Sequence, residues 1–141
     1  MMLNAGVIPL LDHDGKEITG VSEKFFNKLS FTLTTYDQKF EPPAAIRGKK
    51  GYLVLKTTIT AGINFKTSAS RIYLINQEGH WFECAYSSTY HAQGAVYNYK
   101  YDIPSISAFY QYKEYHTGSA NQSSGTYDHS LHGKVEGILY Y

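Results

Sequence analysis

Residues 94–113 read Gly94-Ala95-Val96-Tyr97-Asn98-Tyr99-Lys100-Tyr101-Asp102-Ile103-Pro104-Ser105-Ile106-Ser107-Ala108-Phe109-Tyr110-Gln111-Tyr112-Lys113. Tyrosines at 97, 99 and 101 alternate with Asn98 and Lys100. That period of two puts the three phenols on one face of a strand and the polar pair on the other. Tyr110 and Tyr112 repeat the spacing. Ile103-Pro104 separates the two runs, because proline cannot donate to a ladder. Two strands, 94–101 and 105–113, are expected, and as antiparallel neighbours they would stack their tyrosines across the strand boundary.

The same period extends outward. Leu29, Phe31 and Leu33 alternate with Ser30, Thr32 and Thr34, and a β-branched run from Tyr52 to Thr60 ends at Ala61-Gly62. Further runs fall at 70–76, 80–87 and 133–141. Glu41-Pro42-Pro43-Ala44, Lys49-Lys50-Gly51, Asn76-Gln77-Glu78-Gly79 and His91-Ala92-Gln93-Gly94 carry the turn chemistry between them. Roughly seven to nine short strands at this spacing predict an all-β chain, a single-domain antiparallel β-sandwich over 1–141. No repeat points to a propeller or trefoil. Residues 1–20 read as an irregular lead-in with a turn at Asp12-His13-Asp14-Gly15. Ser22 to Leu29 predicts one short N-terminal helix, with Ser22 as N-cap and Phe25, Phe26 and Leu29 on one face, or else a strand edge. Residues 117–126 read as a polar loop.

A chain of 141 residues buries about two-thirds of its unfolded surface, so neither metal nor disulfide is needed for stability. The composition is unusual in its 14 Tyr, 7 Phe and 12 Gly against 18% charged residues. A formal net charge of +1 gives no field that would steer the protein to nucleic acid or an anionic membrane. The single Cys84 excludes an internal disulfide, and its place in Trp81-Phe82-Glu83-Cys84-Ala85-Tyr86 reads as a small buried residue. The N-terminal stretch lacks a basic region, is broken by Asn4 and Pro9, and stops at Asp12. No window approaches the roughly twenty apolar residues of a membrane-spanning helix. The expected location is cytoplasmic as made, or outside the cell without a classical signal peptide.

Motifs for chemistry are missing. There is no G-x-S-x-G elbow, Walker loop, dinucleotide fingerprint or H-E-x-x-H, and the carboxylates are scattered. His129 and His132 are spaced as on a helical turn, but between Gly125 and Gly133 they read as a polar turn rather than a metal site. Asp12 and Asp14 lack the later ligands of a calcium loop. Asn121-Gln122-Ser123 matches a glycosylation acceptor without a secretory signal beside it. The chain is therefore expected to be non-catalytic, with no cofactor and no metal.

The tyrosines carry the functional signal. Burying a phenol requires a partner for its hydroxyl, and phenylalanine fills an interior at lower cost. A set this dense predicts rings that face water or a ligand. The candidate binding residues are Tyr97, Tyr99, Tyr101, Tyr110, Tyr112 and Trp81. Exposed rings of this kind stack on sugars and sit well at a membrane–water interface. Lys100, Lys113 and Lys134 do not form a stripe that would track phosphates, so no nucleic-acid partner is expected.

The stretch from Trp81 to Ser130 resembles the middle of the aegerolysin family. The resemblance rests on Trp81-Phe82-Glu83-Cys84-Ala85-Tyr86, then Gly94-Ala95-Val96-Tyr97-Asn98-Tyr99, then Ile106-Ser107-Ala108-Phe109-Tyr110, and a loop Gly118-Ser119-Ala120-Asn121 leading to Tyr127. It covers about a third of the chain. It departs from the family in its neutral charge, in its first thirty or so residues, and in Gln111-Tyr112-Lys113 where an Asn-Pro is expected. The resemblance implies a small β-sandwich that recognises membrane lipids, with a larger pore-forming protein as partner in a two-component toxin. Two other readings stay open. One is a lectin-like module binding a cell-surface glycan. The other is a structural or assembly protein, of a phage or a secretion system, whose tyrosines make contacts in a homo-oligomer.

Overall fold

The structure is a computed structural model that describes residues 6–61, 68–87, 91–117 and 131–141, with backbone alone at 68–70 and 112–117. Eight strands follow one another: β1 (Lys28–Leu33), β2 (Lys39–Phe40), β3 (Gly51–Ala61), β4 (Ser68–Asn76), β5 (Trp81–Ser87), β6 (Val96–Ile103), β7 (Phe109–Thr117) and β8 (His132–Tyr140). They form two four-stranded sheets in the orders β1-β8-β3-β6 and β2-β7-β4-β5. All pairings are antiparallel. The first strand pairs the eighth, the second the seventh, the third the sixth and the fourth the fifth. One long hairpin has in effect been rolled so that its two halves face each other, which is the eight-stranded jelly roll. The expected all-β sandwich is the fold.

The core fills the space between the sheets. Leu53, Leu55 and Ile59 of β3 meet Ile72 and Leu74 of β4, with Phe82, Phe109, Val135 and Leu139 around them. These residues occupy alternate positions on their strands, so the period of two seen in the sequence is the core pattern itself. Gly137 on β8 lies opposite both Phe31 and Leu55. A side chain there would run into the Phe31 ring.

A second, smaller cluster lies on the outer side of the first sheet. The lead-in, described from residue 6 to 20, forms a strap across that face: its Leu10, together with Phe25 beyond it, buries Tyr52, Val54 and Tyr140, with Ile8, Ile18, Val21 and Ile138 at the margin. The strap is tied at Tyr140, whose hydroxyl accepts from Leu11 N at 2.9 Å and donates to Leu11 O at 2.8 Å. Tyr140→Phe removes both bonds and leaves two backbone groups without partners. A loss of about 1–2 kcal/mol is expected, read as faster hydrogen exchange at the Leu11 amide than at the β3 and β8 amides.

The helix expected over 22–29 does not form. Phe25 is buried under the strap, Phe26 is 51% exposed, and β1 begins at Lys28. The Phe26 and Asn27 amides donate instead to Tyr141 O, both at 3.0 Å. A segment of that length cannot repay helix nucleation when strand-edge partners are available, so the strand-edge alternative describes this stretch better. Elsewhere the prolines form the expected loop, with a single 3-10 turn at Ala44–Ile46 after Pro43. Among the described residues no helix is long and apolar enough to cross a membrane. The 117–126 loop and the Asn121 acceptor lie outside the described residues, apart from Thr117 at the end of β7.

Candidate functional site

The tyrosines of β6 do share a face, as their period requires, and that face looks into the sandwich. Tyr97, Tyr99 and Tyr101 are half-buried and pack against the core cluster. β6 is one edge of its sheet and β5 one edge of the other, so the three rings fill the seam where the sheets part. The Tyr101 hydroxyl donates to Glu83 O at 2.7 Å, and its ring meets the Phe82 ring edge-on at 5.4 Å. The Tyr97 hydroxyl lies 3.2 Å from Nδ1 of buried His91. Tyr99 stacks on Tyr101 at 6.2 Å.

Burial raises all three phenol pKa values above the ordinary tyrosine range, with Glu83 adding to the effect at Tyr99 and Tyr101. The unfolded chain releases these protons near pH 10 while the fold still holds them. Their contribution is therefore complete below about pH 10 and is lost as pH rises beyond it. The urea midpoint is expected to fall steadily above that pH, ahead of any tyrosinate absorbance from these three phenols in the folded protein. A midpoint level to about pH 11.5 would contradict the seam geometry.

The ladder expected between the two tyrosine strands is not built. β6 pairs with β3, whereas β7 pairs with β2 and β4 in the opposite sheet. Pro104-Ser105 does more than punctuate a hairpin: the chain crosses there from one sheet to the other. Tyr110 thereby reaches the outer face of the second sheet, half-buried and opposite Lys39, whose Nζ sits 5.3 Å over its ring. Tyr112 pairs Tyr73 in backbone register, and its side chain lies outside the description.

That outer face carries the exposed aromatic surface. Trp81 opens β5 directly after the turn 77–79, where Gly79 adopts φ +83° and Asn76 Oδ1 accepts from His80 N at 2.9 Å. A left-handed glycine and an Asx-type bond close this turn. Trp81 is 51% exposed and Tyr86 41%. The Trp81 ring stacks on Tyr73 with centroids 4.3 Å apart and planes 16° from parallel. Tyr73 covers one face of the indole, so the exposed area is its opposite face and rim.

A bulge aims the rest. Ile72 pairs Ala85 and Tyr73 pairs Glu83, leaving Cys84 as the extra residue. Cys84 and Ala85 are both fully buried, and Glu83 and Tyr86 both face outward. Strict alternation would have turned Tyr86 inward. Arg71 stands opposite Tyr86 and ties the face together. Its guanidinium carbon is 5.0 Å over Tyr86 and 6.0 Å over Trp81, and its Nε is 3.6 Å from Glu83 Oε1. Cation–π and ionic contacts of this kind hold side chains in one arrangement before a ligand arrives. Lys39 is likewise paired, with Glu41 at 2.5 Å.

Of the six residues expected from sequence, Trp81 and Tyr110 lie on this outer face, while Tyr97, Tyr99 and Tyr101 lie in the seam. Tyr73, Arg71, Glu83, Ile75 and Tyr86 join the site without having been expected. The one signal available was the period of two at Arg71, Tyr73 and Ile75 of β4, which gives those three a common face but not their partners Glu83 and Tyr86 across the bulge of β5.

Two other features complete the chemistry. Cys84 is buried, and desolvation pushes its thiol pKa well above the usual range, which suppresses its reactivity as a nucleophile. A cleft lined by Asn76, Glu78, His80, Pro104 and Ser105 has Ser107 Oγ donating to Glu78 Oε2 at 2.8 Å at its margin. Among the described residues no group of three or more His, Cys, Asp or Glu is arranged to hold a metal ion.

Neither a family model nor a curated protein matches this chain. Among solved structures, the VP2 subviral particle of infectious bursal disease virus is similar in fold at a TM-score of 0.46 and 14% identity. A structure of the Gx strain of the same virus gives 0.46 and 12%. Each match covers 95% of this chain but only 37% and 38% of the viral chain. The chain thus spans under two-fifths of those proteins. At this distance the likeness says nothing about activity, and the jelly-roll assignment rests on the strand pairing above.

Proposed function

We propose that this protein is a non-catalytic glycan-binding module whose ligand lies on the Trp81 face of the second sheet. The observation that supports this reading is the half-exposed Trp81 ring, held flat on Tyr73 and flanked by the Arg71–Glu83 pair. One face of a sugar ring presents C–H groups of slight positive charge, which suit the negative face of an aromatic quadrupole. Sugar hydroxyls at the ring edge then find a guanidinium that donates and a carboxylate that accepts. The rings are ordered before binding, so little side-chain entropy is lost when a sugar docks.

A lipid surface is the second reading, favoured by the same exposed Trp and Tyr rings. Against it, Glu83 and Glu41 place carboxylates among those rings. The rings also lie along a sheet face rather than at a projecting loop. Trp81 is the only tryptophan in the chain, so its emission reports the site directly. A screen against a glycan array, followed by titration of the hits, is expected to give a blue shift at Trp81 that saturates. Binding to anionic or neutral phospholipid vesicles with no response to any sugar would replace the glycan reading with the lipid one.

A further inference from the structure

We propose that the ligand of the Trp81 face is an extended, uncharged oligosaccharide laid across the strands, with its far end on Tyr110. This rests on the glycan reading above and adds length, direction and charge to it.

The direction comes from register. Ile75 of β4 pairs with Trp81 of β5 on one side and with Tyr110 of β7 on the other, and Tyr110 pairs with Lys39 of β2. All four stand at outward positions, since Phe82, Leu74, Asn76, Phe109 and Gln111 beside them are buried. One continuous row therefore crosses the whole sheet, aromatic at Trp81, aliphatic at Ile75, aromatic at Tyr110 and capped by the Lys39 ammonium over the Tyr110 ring. Neighbouring strands lie about 4.8 Å apart, which puts the Trp81 and Tyr110 backbone positions about 10 Å apart and the whole row at about 14 Å. A single sugar ring cannot touch both aromatic residues. A chain of three units can, with its middle unit over Ile75.

The absence of charge on the ligand comes from pairing. Arg71 is matched by Glu83 and Lys39 by Glu41. An acidic sugar would meet a carboxylate beside each cation, and a basic one the reverse. An uncharged chain uses the same four groups as donors and acceptors for its hydroxyls, with no charge left over on either side.

The test is calorimetric titration, with Trp81 emission in parallel, of cello-, chito- and xylo-oligosaccharides from one to five units. Affinity for the recognised series is expected to rise at least tenfold from one unit to three, then level off. It should be indifferent to salt between about 0.05 and 0.5 M, where exposed charge pairs are screened. Tyr110→Ala should remove the gain from the third unit while leaving the response to one unit intact. Equal affinity for one and three units would overturn the extended ligand and leave the glycan reading standing. Tighter binding of oligogalacturonate than of uncharged chains, abolished by salt, would overturn the claim about charge. If the glycan array has no hits and no oligosaccharide moves Trp81 emission in the folded protein, the glycan reading falls and this proposal with it.

Discussion

Gly137→Ala is expected to lower the unfolding free energy by about 3 kcal/mol, the upper end of the usual cost of overpacking. A methyl group built at Gly137 would lie 2.2 Å from Phe31 Cζ and 2.4 Å from Phe31 Cε1. Such contacts have to be relieved by movement, and the ring has nowhere to go. Phe31 is stacked on Phe40 with centroids 4.3 Å apart and planes 7° from parallel, and lies 6.1 Å from Phe109 in the same parallel array. Moving it disturbs three strands at once. Gly133 is the informative comparison. There the added carbon meets Ile72 Cδ1 at 2.6 Å, the far end of a flexible side chain, and Gly133→Ala should cost only about 1 kcal/mol. Urea unfolding measures both. The midpoint should fall with the slope unchanged, since the surface exposed on unfolding is the same. Combining Gly137→Ala with Phe31→Leu should recover part of the loss, because the two positions are in direct contact and their effects are not additive. A Gly137→Ala variant within about 0.5 kcal/mol of the parent would mean that the aromatic stack shifts freely, and the account of the core would be wrong.

Those two glycines also mark where the sequence was legible and where it was not. Alternation at 29–33 and the strand-like runs at 52–60 and 133–141 read correctly as strands, because strand propensity and the period of two are properties of the single strand; that the strap buries the outer face of the last two at Tyr52, Val54 and Tyr140 is not. Pairing is not such a property. Nothing local in Val96–Ile103 or Phe109–Thr117 says that they belong to different sheets, since that depends on how the whole hairpin rolls. The two-residue β2 carries no periodicity at all, and Ser22–Leu29 was ambiguous because Phe25 is held by the strap rather than by its own segment. The site divides in the same way. Trp81 and Tyr110 stand out by residue type. The phenols of β6 were correctly given one face, but period alone does not say whether that face turns to water or to the seam. Tyr86 was hidden by the bulge at Cys84, which breaks the alternation that a reading from sequence has to assume. Arg71 was hidden because its role comes from the strand opposite it.

Trp81→Ala is expected to weaken binding of the best glycan by about 2 kcal/mol or more, roughly 30-fold, the scale at which a central aromatic anchor contributes. The fold should survive it. Trp81 is about half exposed and is the first residue of its strand, so its loss uncovers the outer face of Tyr73 without opening a cavity in the core. Stability should therefore change by no more than about 1 kcal/mol, as for other surface positions that lose a modest contact. Because the variant has no tryptophan, calorimetry rather than emission must be the measurement. Trp81→Tyr should keep part of the affinity, as a smaller ring still offers a face over Tyr73. Phe26→Ala provides the control. It removes an aromatic ring of equal exposure from the segment that leads into the opposite sheet. If binding came from general apolar exposure, the two alanine variants would lose it alike. If the preorganised stack is responsible, Phe26→Ala should match the parent while Trp81→Ala falls. A further distinction lies in Tyr73→Leu, which keeps an apolar base beneath the indole but removes the parallel ring that holds it. Affinity should drop while Trp81 remains present, because the indole must then be ordered at the moment of binding. Unchanged affinity in Tyr73→Leu would separate the site from the stack, leaving Trp81 as a contact but not as a prepared platform.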